Sequence, residues 1–300
     1  MEPLTHSLMQ SLKNCPMYYY WRQKKSLVPI VRSRARSIGQ VVHKGIETGS
    51  IYEALKLFEE FIPTTQEEQN KLDTDRVIAT AMLEGYFNKY NGDPANIEKS
   101  TPEIKFEVPI TNPKTGASSK TFYLAGKIDR LVKSGEWWIE EYKTASQIGK
   151  TYIDRLALDS QITTYIYGIQ KQRHINVAGV IYRIIRKPSI KQTAKETLQQ
   201  YQDRLINDYV TRPEFYFQEE RLYRSQDDLK QFEQELWFFT QLLLKVEREG
   251  LYYKNTSRCG EYGGCMYMPL CKQDPEASIL YKTEEPNPEL KEEENNVTDI

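Results

Sequence analysis

Three charged side chains near the middle of the chain have the types and spacing of a metal-dependent hydrolytic site. Glu141 and Lys143 lie two residues apart in a segment that alternates like a β-strand, so both side chains leave the same face. If a hairpin brings Asp129 opposite Glu141, the two carboxylates repel each other unless a cation lies between them. Oxygen ligands of this kind favour Mg²⁺ or Mn²⁺. Such an ion makes a water more acidic, and Lys143 could hold that water for attack on a phosphodiester.

The turn between the two strands decides whether these residues meet. A three-residue loop at 134–136 places Asp129 directly opposite Glu141, with Cβ atoms about 5 Å apart. A two-residue loop would place Glu140 there instead, so we predict the odd-length loop or a bulge that restores its parity. By itself the acid-x-Lys triplet is weak, because an exposed Glu–Lys pair on a strand gives the same pattern.

Four short motifs occur along the chain in a fixed order. They are Gly39-Gln40-Val41-Val42-His43, Gly126-Lys127-Ile128-Asp129, Trp138-Ile139-Glu140-Glu141-Tyr142-Lys143-Thr144 and Gln161-Ile162-Thr163-Thr164-Tyr165. Each is weak alone, since a lone helical histidine is more often structural and a Gln-x-x-x-Tyr pair more often reflects packing. In this order they resemble the PD-(D/E)XK nuclease superfamily, and within it the RecB-like branch.

The resemblance implies a set of site residues. The implied catalytic residues are Asp129, Glu141, Lys143, Gln161 and Tyr165, and the implied metal ligands are His43, Asp129 and Glu141. In this family Lys143 would act on the nucleophile, while Gln161 and Tyr165, one helical turn apart, would face the site.

Three further charged residues near the motifs have no role that the sequence decides. Glu103 or Glu107, on the strand before, could supply an additional acid, and the sequence does not choose between them. Arg130 beside Asp129 matches no motif, and either pairs with a carboxylate or contacts phosphate.

The cysteines fall outside the motifs, one before them and three after. They are Cys15, Cys259, Cys265 and Cys271. Common zinc sites and the bacterial ferredoxin motif use closer spacings, so spacing selects neither of them over free buried thiols. Iron–sulfur members of the RecB-like branch, such as the AddB subunit and the CRISPR adaptation exonucleases, have the same arrangement, and Cys15-Pro16 followed by three tyrosines resembles the segment around their first cysteine. The resemblance implies a [4Fe-4S] cluster, with zinc as the alternative, that fixes the two chain ends together.

The hydrophobic periodicity predicts an α/β fold with a mixed central sheet flanked by helices. Predicted helices span 37–61, 65–90, 151–172, 193–209 and 226–249, and predicted strands span 104–110, 121–133, 136–143 and 177–185. The resemblance implies a restriction-endonuclease-like core with a helical N-terminal region and a C-terminal cysteine clasp. We assign 1–283 to one nuclease domain, divided into a mainly helical part (1–100), a catalytic sheet core (101–223) and a last helix with the cysteine segment (224–283).

Composition and charge narrow the class of protein. With 300 residues, 39% hydrophobic and 28% charged, the chain is typical of a globular protein and not of collagen, a coiled coil or wholesale disorder. It has no apolar run long enough for a membrane span and no signal peptide, so we expect a cytoplasmic protein of a bacterial or phage-infected cell. Residues 284–300 carry seven acidic side chains against one lysine, which predicts a disordered tail.

The segment from Pro3 to Ile46 has the opposite charge. It carries eight Lys or Arg residues and no acidic one, interleaved with aromatic residues at 18–21. This pattern fits a surface that binds phosphates and stacks bases, and it fits equally a solvated basic face over core aromatics.

These observations favour a metal-dependent DNA nuclease, and the resemblance favours an exonuclease that prefers single-stranded or free-ended DNA in recombination or repair. No Gly-x4-Gly-Lys-Ser/Thr motif occurs, so any motor would be a separate helicase or recombination protein. The alternative is a catalytically inactive, DNA-binding scaffold subunit with a nuclease fold. RNA also stays open as a substrate, because phosphate contacts do not distinguish the sugars.

Overall fold

The computed structural model describes residues 1–30, 34–90, 98–287 and 290. The strands, in chain order, are β1 Glu2–Leu4, β2 Leu27–Pro29, β3 Lys99–Thr111, β4 Ser118–Ser134, β5 Glu136–Ala145, β6 Val177–Arg186, β7 Phe217–Leu222 and β8 Tyr281–Thr283. The α-helices are α1 His6–Asn14, α2 Pro16–Tyr19, α3 Arg34–Thr48, α4 Ile51–Leu55, α5 Gln66–Tyr90, α6 Lys150–Leu156, α7 Ser160–Arg173, α8 Leu198–Thr211, α9 Pro213–Tyr216, α10 Gln226–Glu249 and α11 Met268–Lys272.

The central sheet is mixed, which confirms the predicted fold class. Its strand order is β1-β4-β5-β6-β7, and β3 pairs with β4 as well. β4 pairs antiparallel with β3 along most of its length, parallel with β1 at one end and antiparallel with β5 at the other. β5 and β6 run parallel, and β7 returns antiparallel to β6. The strands β4 and β5 therefore share only a short ladder at their hairpin.

The sheet separates two hydrophobic cores. On β6, Ile184 belongs to the core that includes residues of α1, α7 and α10, whereas its neighbour Ile185 belongs to the core formed by α3, α5 and α8. Adjacent residues of a strand point to opposite faces, so a strand buried on both sides reads as a continuous apolar run. That is why the run at 177–185 correctly predicts an interior strand.

Two glycines allow helix α7 to pack closely on the sheet. A Cβ atom at Gly126 or at Gly168 would lie 2.5 Å or 2.3 Å from the ring of Phe106. The Phe106 side chain is fully buried between these elements. Because real Cβ atoms do not approach that closely, the glycine of the Gly126–Asp129 motif is explained by packing under the site.

Some predicted helix boundaries are wrong. The helix predicted at 151–172 is two helices, α6 and α7, because Asp159 caps a new start by accepting from the backbone N–H of Gln161. The helix predicted at 37–61 ends at Thr48, where Gly49 has a φ of +66°. The prediction for α10 is confirmed at both ends, by a capping box at Ser225 and by Gly250 with a φ of +63°.

The two ends of the chain contact each other through elements that the sequence did not predict. β1 joins the central sheet, and β2 pairs with β8 in a separate two-stranded sheet. The Arg22 guanidinium donates to the backbone carbonyls of residues 284–286. The disorder predicted for 284–300 stays a prediction, because residues 288–289 and 291–300 lie outside the described part of the chain. None of the helices in the described ranges is long and apolar enough to cross a membrane.

Candidate active site

The candidate site lies where strands β4 and β5 part. The hairpin turns at Gly135, which has a φ of +70°, and residue pairing runs from Ser134 with Glu136 to Arg130 with Glu140. This is the predicted odd-length register, so Asp129 and Glu141 are the next residues on each strand. There the backbone pairing ends, and the Tyr142 N–H donates to Asp129 Oδ2 at 2.9 Å. We call the point just beyond the Arg130–Glu140 pair, where the two strands separate, the fork.

Glu141 is the most buried charged group of the site, with 1% of the residue exposed. Its Oε1 accepts hydrogen bonds from Lys143 Nζ and from Gln161 Nε2, the latter at 3.4 Å. Its Oε2 is buried and has no hydrogen-bond partner among the residues that the structure describes. Burial, followed by the charge of Asp129, raises the pKa of Glu141 to about 7. A buried carboxylate oxygen without a partner costs free energy unless a cation or donor satisfies it.

The negative charge of Asp129 is balanced by a residue on helix α3. His43, on α3, places Nδ1 3.6 Å from Asp129 Oδ1. Burial alone would raise the pKa of Asp129, but His43, Lys143 and the Tyr142 N–H together outweigh burial and hold the pKa below its usual value. The contact with Asp129 raises the pKa of His43 against the opposing effect of burial. The structure thus brings the histidine of the first motif to the aspartate of the second.

Lys143 supplies a permanent positive charge beside Glu141. Burial would lower the pKa of its ammonium group, but the charges of Glu141, Tyr165 and Asp129 and the hydrogen bond to Glu141 together outweigh burial and raise the pKa. One third of the side chain stays exposed. Lys143 is therefore a cation at any working pH and can contact both Glu141 and solvent.

Gln161 and Tyr165 approach the site from α7, as the fourth motif predicts. Gln161 Nε2 donates to the Tyr165 hydroxyl at 2.7 Å and to Glu141 Oε1 at 3.4 Å. Residues four apart on a helix share a face, and here that face is turned to strand β5. Burial raises the pKa of Tyr165, so its hydroxyl stays protonated.

The first helix contributes polar residues that sequence reasoning missed. His6 Nε2 lies 3.1 Å from Ser160 Oγ, and Gln10 Nε2 donates to the same oxygen at 3.0 Å. Ser160 directly precedes Gln161, so these contacts hold the start of α7 against α1. Burial lowers the pKa of His6 to about 4, and its ring is therefore neutral. Only the spacing of His6 and Gln10, four residues apart, hinted at a shared face.

The structure distinguishes the two additional acids. Glu103 lies across from Asp129, between the pairs Pro102–Arg130 and Ile104–Ile128, and its φ is +49°. A positive φ is uncommon for a residue other than glycine and marks a local irregularity of the strand. The Glu103 carboxylate pairs with Lys127 at 2.6 Å. Glu107 pairs with Ala125, farther along β4, so Glu103 is the acid nearer to the fork.

The residues at the fork fit a divalent cation by their donor chemistry. Two carboxylates and an imidazole converge, and one carboxylate oxygen, Glu141 Oε2, has no partner in the described ranges of the chain. In the described part of the chain, no three His, Cys, Asp or Glu side chains already stand close enough to hold a metal ion. Here His43 and Lys143 provide the positive charge next to the carboxylates.

The four cysteines lie at the junction of the two chain ends. All four are free thiols of intermediate exposure. The Asn255 N–H donates to Cys15 Sγ at 3.3 Å, and the Cys265 N–H donates to the Cys259 carbonyl at 2.8 Å. Burial raises the pKa of the Cys265 thiol, and the other three cysteines contribute in the same direction. The four thiols therefore belong to one electrostatic neighbourhood. We call residues 253–271, which carry three of the four cysteines, the cysteine segment.

Backbone and side-chain hydrogen bonds hold the cysteine segment to the N-terminal helices. Asn14 accepts from Asn255 Nδ2 at 2.8 Å through its carbonyl, and from Arg258 at 2.7 Å through its side chain. The Met17 N–H donates to the Tyr253 carbonyl at 3.2 Å. These contacts bring together residues more than 230 positions apart in the sequence.

The basic and aromatic N-terminal segment is largely used inside the protein. Lys24 Nζ pairs with Glu247 at 2.6 Å, and the Tyr19 hydroxyl donates to the same carboxylate. Tyr18 packs edge-on against Tyr267, with ring centroids 4.8 Å apart. These contacts favour the interpretation of core aromatics and internal ion pairs over a base-stacking surface. The arginines at 32, 34 and 36 lie outside the side chains that the structure describes.

Comparison with known proteins gives one informative match. A family model described as the PD-(D/E)XK nuclease superfamily matches residues 3–272. None of the curated proteins compared with the chain is similar enough to count as a relative. A solved structure titled "Crystal structure of SSO0001" is 12% identical, with 68% of this chain and 84% of that chain covered and a TM-score of 0.24. A TM-score this low supports no conclusion about fold or function. The family match over residues 3–272 is therefore the comparison that bears on the fork.

Proposed function

This chain belongs to the PD-(D/E)XK nuclease superfamily, and from that premise we propose that it is a metal-dependent deoxyribonuclease whose active site is the fork. PD-(D/E)XK nucleases typically use Mg²⁺ or Mn²⁺ and act on DNA. The observation that carries the proposal is the convergence of Asp129, Glu141 and Lys143, with Glu141 Oε2 buried and lacking a partner within the described part of the chain. A fold that only held DNA would gain nothing from burying an unsatisfied carboxylate.

Asp129, Glu141 and His43 are the residues that would hold the cation. When bound, the cation would supply a Lewis acid that makes water more nucleophilic and offsets negative charge on the phosphate. To serve as ligands, Glu141 and His43 must both be deprotonated. Each has a raised pKa, so binding would release protons.

Lys143 would hold the attacking water and stabilise the negative charge that develops on the phosphate oxygens. Its ammonium group is already placed beside Glu141 and is partly open to solvent. A cation that is positioned before reaction stabilises the transition state without reorganisation. Gln161 would orient Glu141 through its hydrogen bond to Oε1, and Tyr165 would hold the Gln161 amide.

The finer activity that we propose is exonuclease action on single-stranded or free-ended DNA, in phage or bacterial recombination or repair, alongside a separate helicase or recombination protein. The order of the four motifs supports this choice, because it resembles the RecB-like branch. The contacts of the fork fit any phosphodiester substrate. The end-labelled DNA of the experiment below determines the polarity of cleavage.

We further propose that Cys15, Cys259, Cys265 and Cys271 bind a [4Fe-4S] cluster, with zinc as the alternative. Support comes from the one-plus-three order in the sequence and from the shared neighbourhood of the thiols. Four cysteine thiolates are the usual ligands of such clusters. The cluster would be structural, and would fix the N-terminal helices against the end of the chain.

Cleavage of end-labelled DNA tests the proposed function. Anaerobically purified protein is incubated with single-stranded, linear duplex and circular DNA, and with RNA, in Mg²⁺, Mn²⁺ or chelator. We expect metal-dependent release of nucleotides from single-stranded or free-ended DNA and no cleavage of circles. Binding of DNA without cleavage in either metal would contradict the proposal and favour the inactive scaffold. Cleavage of circles or of RNA would keep the nuclease and overturn the finer activity.

A further inference from the structure

A buried network of charged and hydroxyl groups lies directly behind the fork, on the opposite face of β5 from Glu141 and Lys143. Its centre is Glu140, of which 2% is exposed. Glu140 Oε2 accepts from the Tyr142 hydroxyl at 2.6 Å and from Arg130 at 3.5 Å. Glu140 Oε1 lies 3.3 Å from the Arg183 guanidinium. Both oxygens of this carboxylate are therefore satisfied, whereas Glu141 Oε2 finds no partner among the described residues.

The members of this network are sequence neighbours of the site residues. Arg130 follows Asp129, and Glu140 and Tyr142 flank Glu141. The pair Arg130–Glu140 is also the last residue pair of the β4–β5 ladder. The charge contact thus lies at the point where the strands part and the two catalytic carboxylates begin to face each other.

The network also reaches the helix that carries the histidine. Arg130 donates to the carbonyl of Ile46 at 3.4 Å, three residues after His43 on α3. On its other side Arg183 donates to Glu219 on β7 at 3.0 Å and to the Tyr86 hydroxyl on α5 at 3.3 Å. A shift of Glu140 would therefore displace contacts on β4, β5 and α3, which are the three elements that supply the candidate metal ligands.

We propose that Glu140 is a positioning residue, which sets the separation of the strands at the fork so that Asp129, Glu141 and His43 can share one cation. A buried ion pair is weak evidence for stability, because the cost of desolvation offsets the attraction between the charges. Its geometric effect is specific, because outer groups that orient metal ligands commonly govern metal affinity. Arg130 thereby has a structural partner and is not needed for phosphate contact.

This inference rests on the proposed function, and the test uses Mn²⁺ binding measured without DNA. The variants are Glu140→Gln and, as a matched control, Glu219→Gln, which removes the other acidic partner of Arg183 away from the fork. We expect Glu140→Gln to weaken Mn²⁺ binding by about 10-fold or more and to lower kcat by about 10- to 100-fold, with little change in KM for DNA. Glu219→Gln should keep the Mn²⁺ affinity of the wild type even if both variants lose similar thermal stability.

Tyr142→Phe keeps the inference testable if Glu140→Gln does not fold. It removes one hydrogen bond to Glu140 without changing any charge, and should weaken Mn²⁺ binding by a smaller factor. Wild-type Mn²⁺ affinity in folded Glu140→Gln, or in Tyr142→Phe if that is the only folded variant, would overturn the inference and leave the proposed function intact. Equal weakening in Glu219→Gln would also overturn it, because the effect would then follow general stability. A wild-type protein that binds no Mn²⁺ would refute the metal site and this inference with it.

Discussion

The fork and the cysteine segment both bring together residues with metal-binding chemistry, but the protein prepares them differently. At the fork the ligand side chains are fixed by a strand register, by a buried network and by hydrogen bonds from α7. In the cysteine segment the thiols are half-exposed, and the contacts between the chain ends come mainly from backbone and amide groups. The fold therefore positions the residues of the fork, although no three of the described ligand side chains already stand close enough to hold a metal ion. For the cysteine segment, we expect a bound group to add to the rigidity that these contacts supply.

The largest effect is expected at the fork, from Lys143→Ala. Removing the ammonium group leaves the attacking water and the developing charge without their positioned cation, so kcat should fall on the order of 10²–10³-fold. Steady-state cleavage of labelled DNA measures it. Lys150→Ala is the matched control, because Lys150 pairs with Asp154 on an exposed helix and should keep full activity. Similar activity in both variants would remove Lys143 from the mechanism.

The cysteine segment should respond through its bound group and its stability. Cys259→Ser removes one of four ligands, so iron and sulfide should be lost from anaerobically purified protein and the midpoint of thermal unfolding should drop. Ser257→Ala, in the same segment, should retain iron, since its hydroxyl donates to the side chain of Asn255 and is not a thiol ligand. Zinc instead of iron in the wild-type protein would show that the alternative metal is bound and not the cluster. Absence of any metal would show that the thiols are inert.

The affinity of the fork for Mn²⁺ should increase with pH. Glu141 faces the negative Asp129 and the positive Lys143 and His43, and its pKa is raised to about 7. Below that pH the carboxyl must release a proton to bind, and His43, whose pKa is also raised, acts in the same direction. Each proton released makes the Kd for Mn²⁺ fall by about tenfold per pH unit, so the Kd should fall by about tenfold to 100-fold per pH unit below about pH 7 and change less above it. A Kd that is constant from about pH 5.5 to 7 would contradict this titration.

The smallest effect on stability is expected from a single contact of the cysteine segment. Arg258 donates to Asn14 and pairs with Glu261, and its side chain is 43% exposed. Exposed ion pairs contribute about 1 kcal/mol or less, so Arg258→Ala should change the free energy of unfolding by no more than that. Denaturant titration measures the change. A loss of several kcal/mol would mean that the cysteine segment is fixed by its protein contacts, as the fork is.

The same contrast explains what the sequence could predict. The register of the β4–β5 hairpin can be predicted by requiring Asp129 and Glu141 to share a face, because only an odd loop places them there. The caps at Ser225 and Gly250 likewise define α10 locally. These are short-range properties, in which neighbouring residues carry the information.

Long-range contacts carry no such local signal. β1 has three residues, too few for an alternating pattern, although it joins the central sheet. The contact of His6 with Ser160 and that of Glu140 with Arg183 depend on packing between distant elements. Only the structure could show that Arg130 is an internal partner of Glu140 and that Glu103 is nearer to the fork than Glu107.

The central claim is that the carboxylates of the fork bind a divalent cation, and Mn²⁺ titration of wild-type protein and Glu141→Gln tests it most directly. The substitution keeps the shape of the side chain but removes its charge. The account predicts saturable Mn²⁺ binding by the wild type and binding weaker by at least about tenfold in the variant, with the fold retained. Equal affinity in the two proteins would contradict it, because the cation would then bind elsewhere.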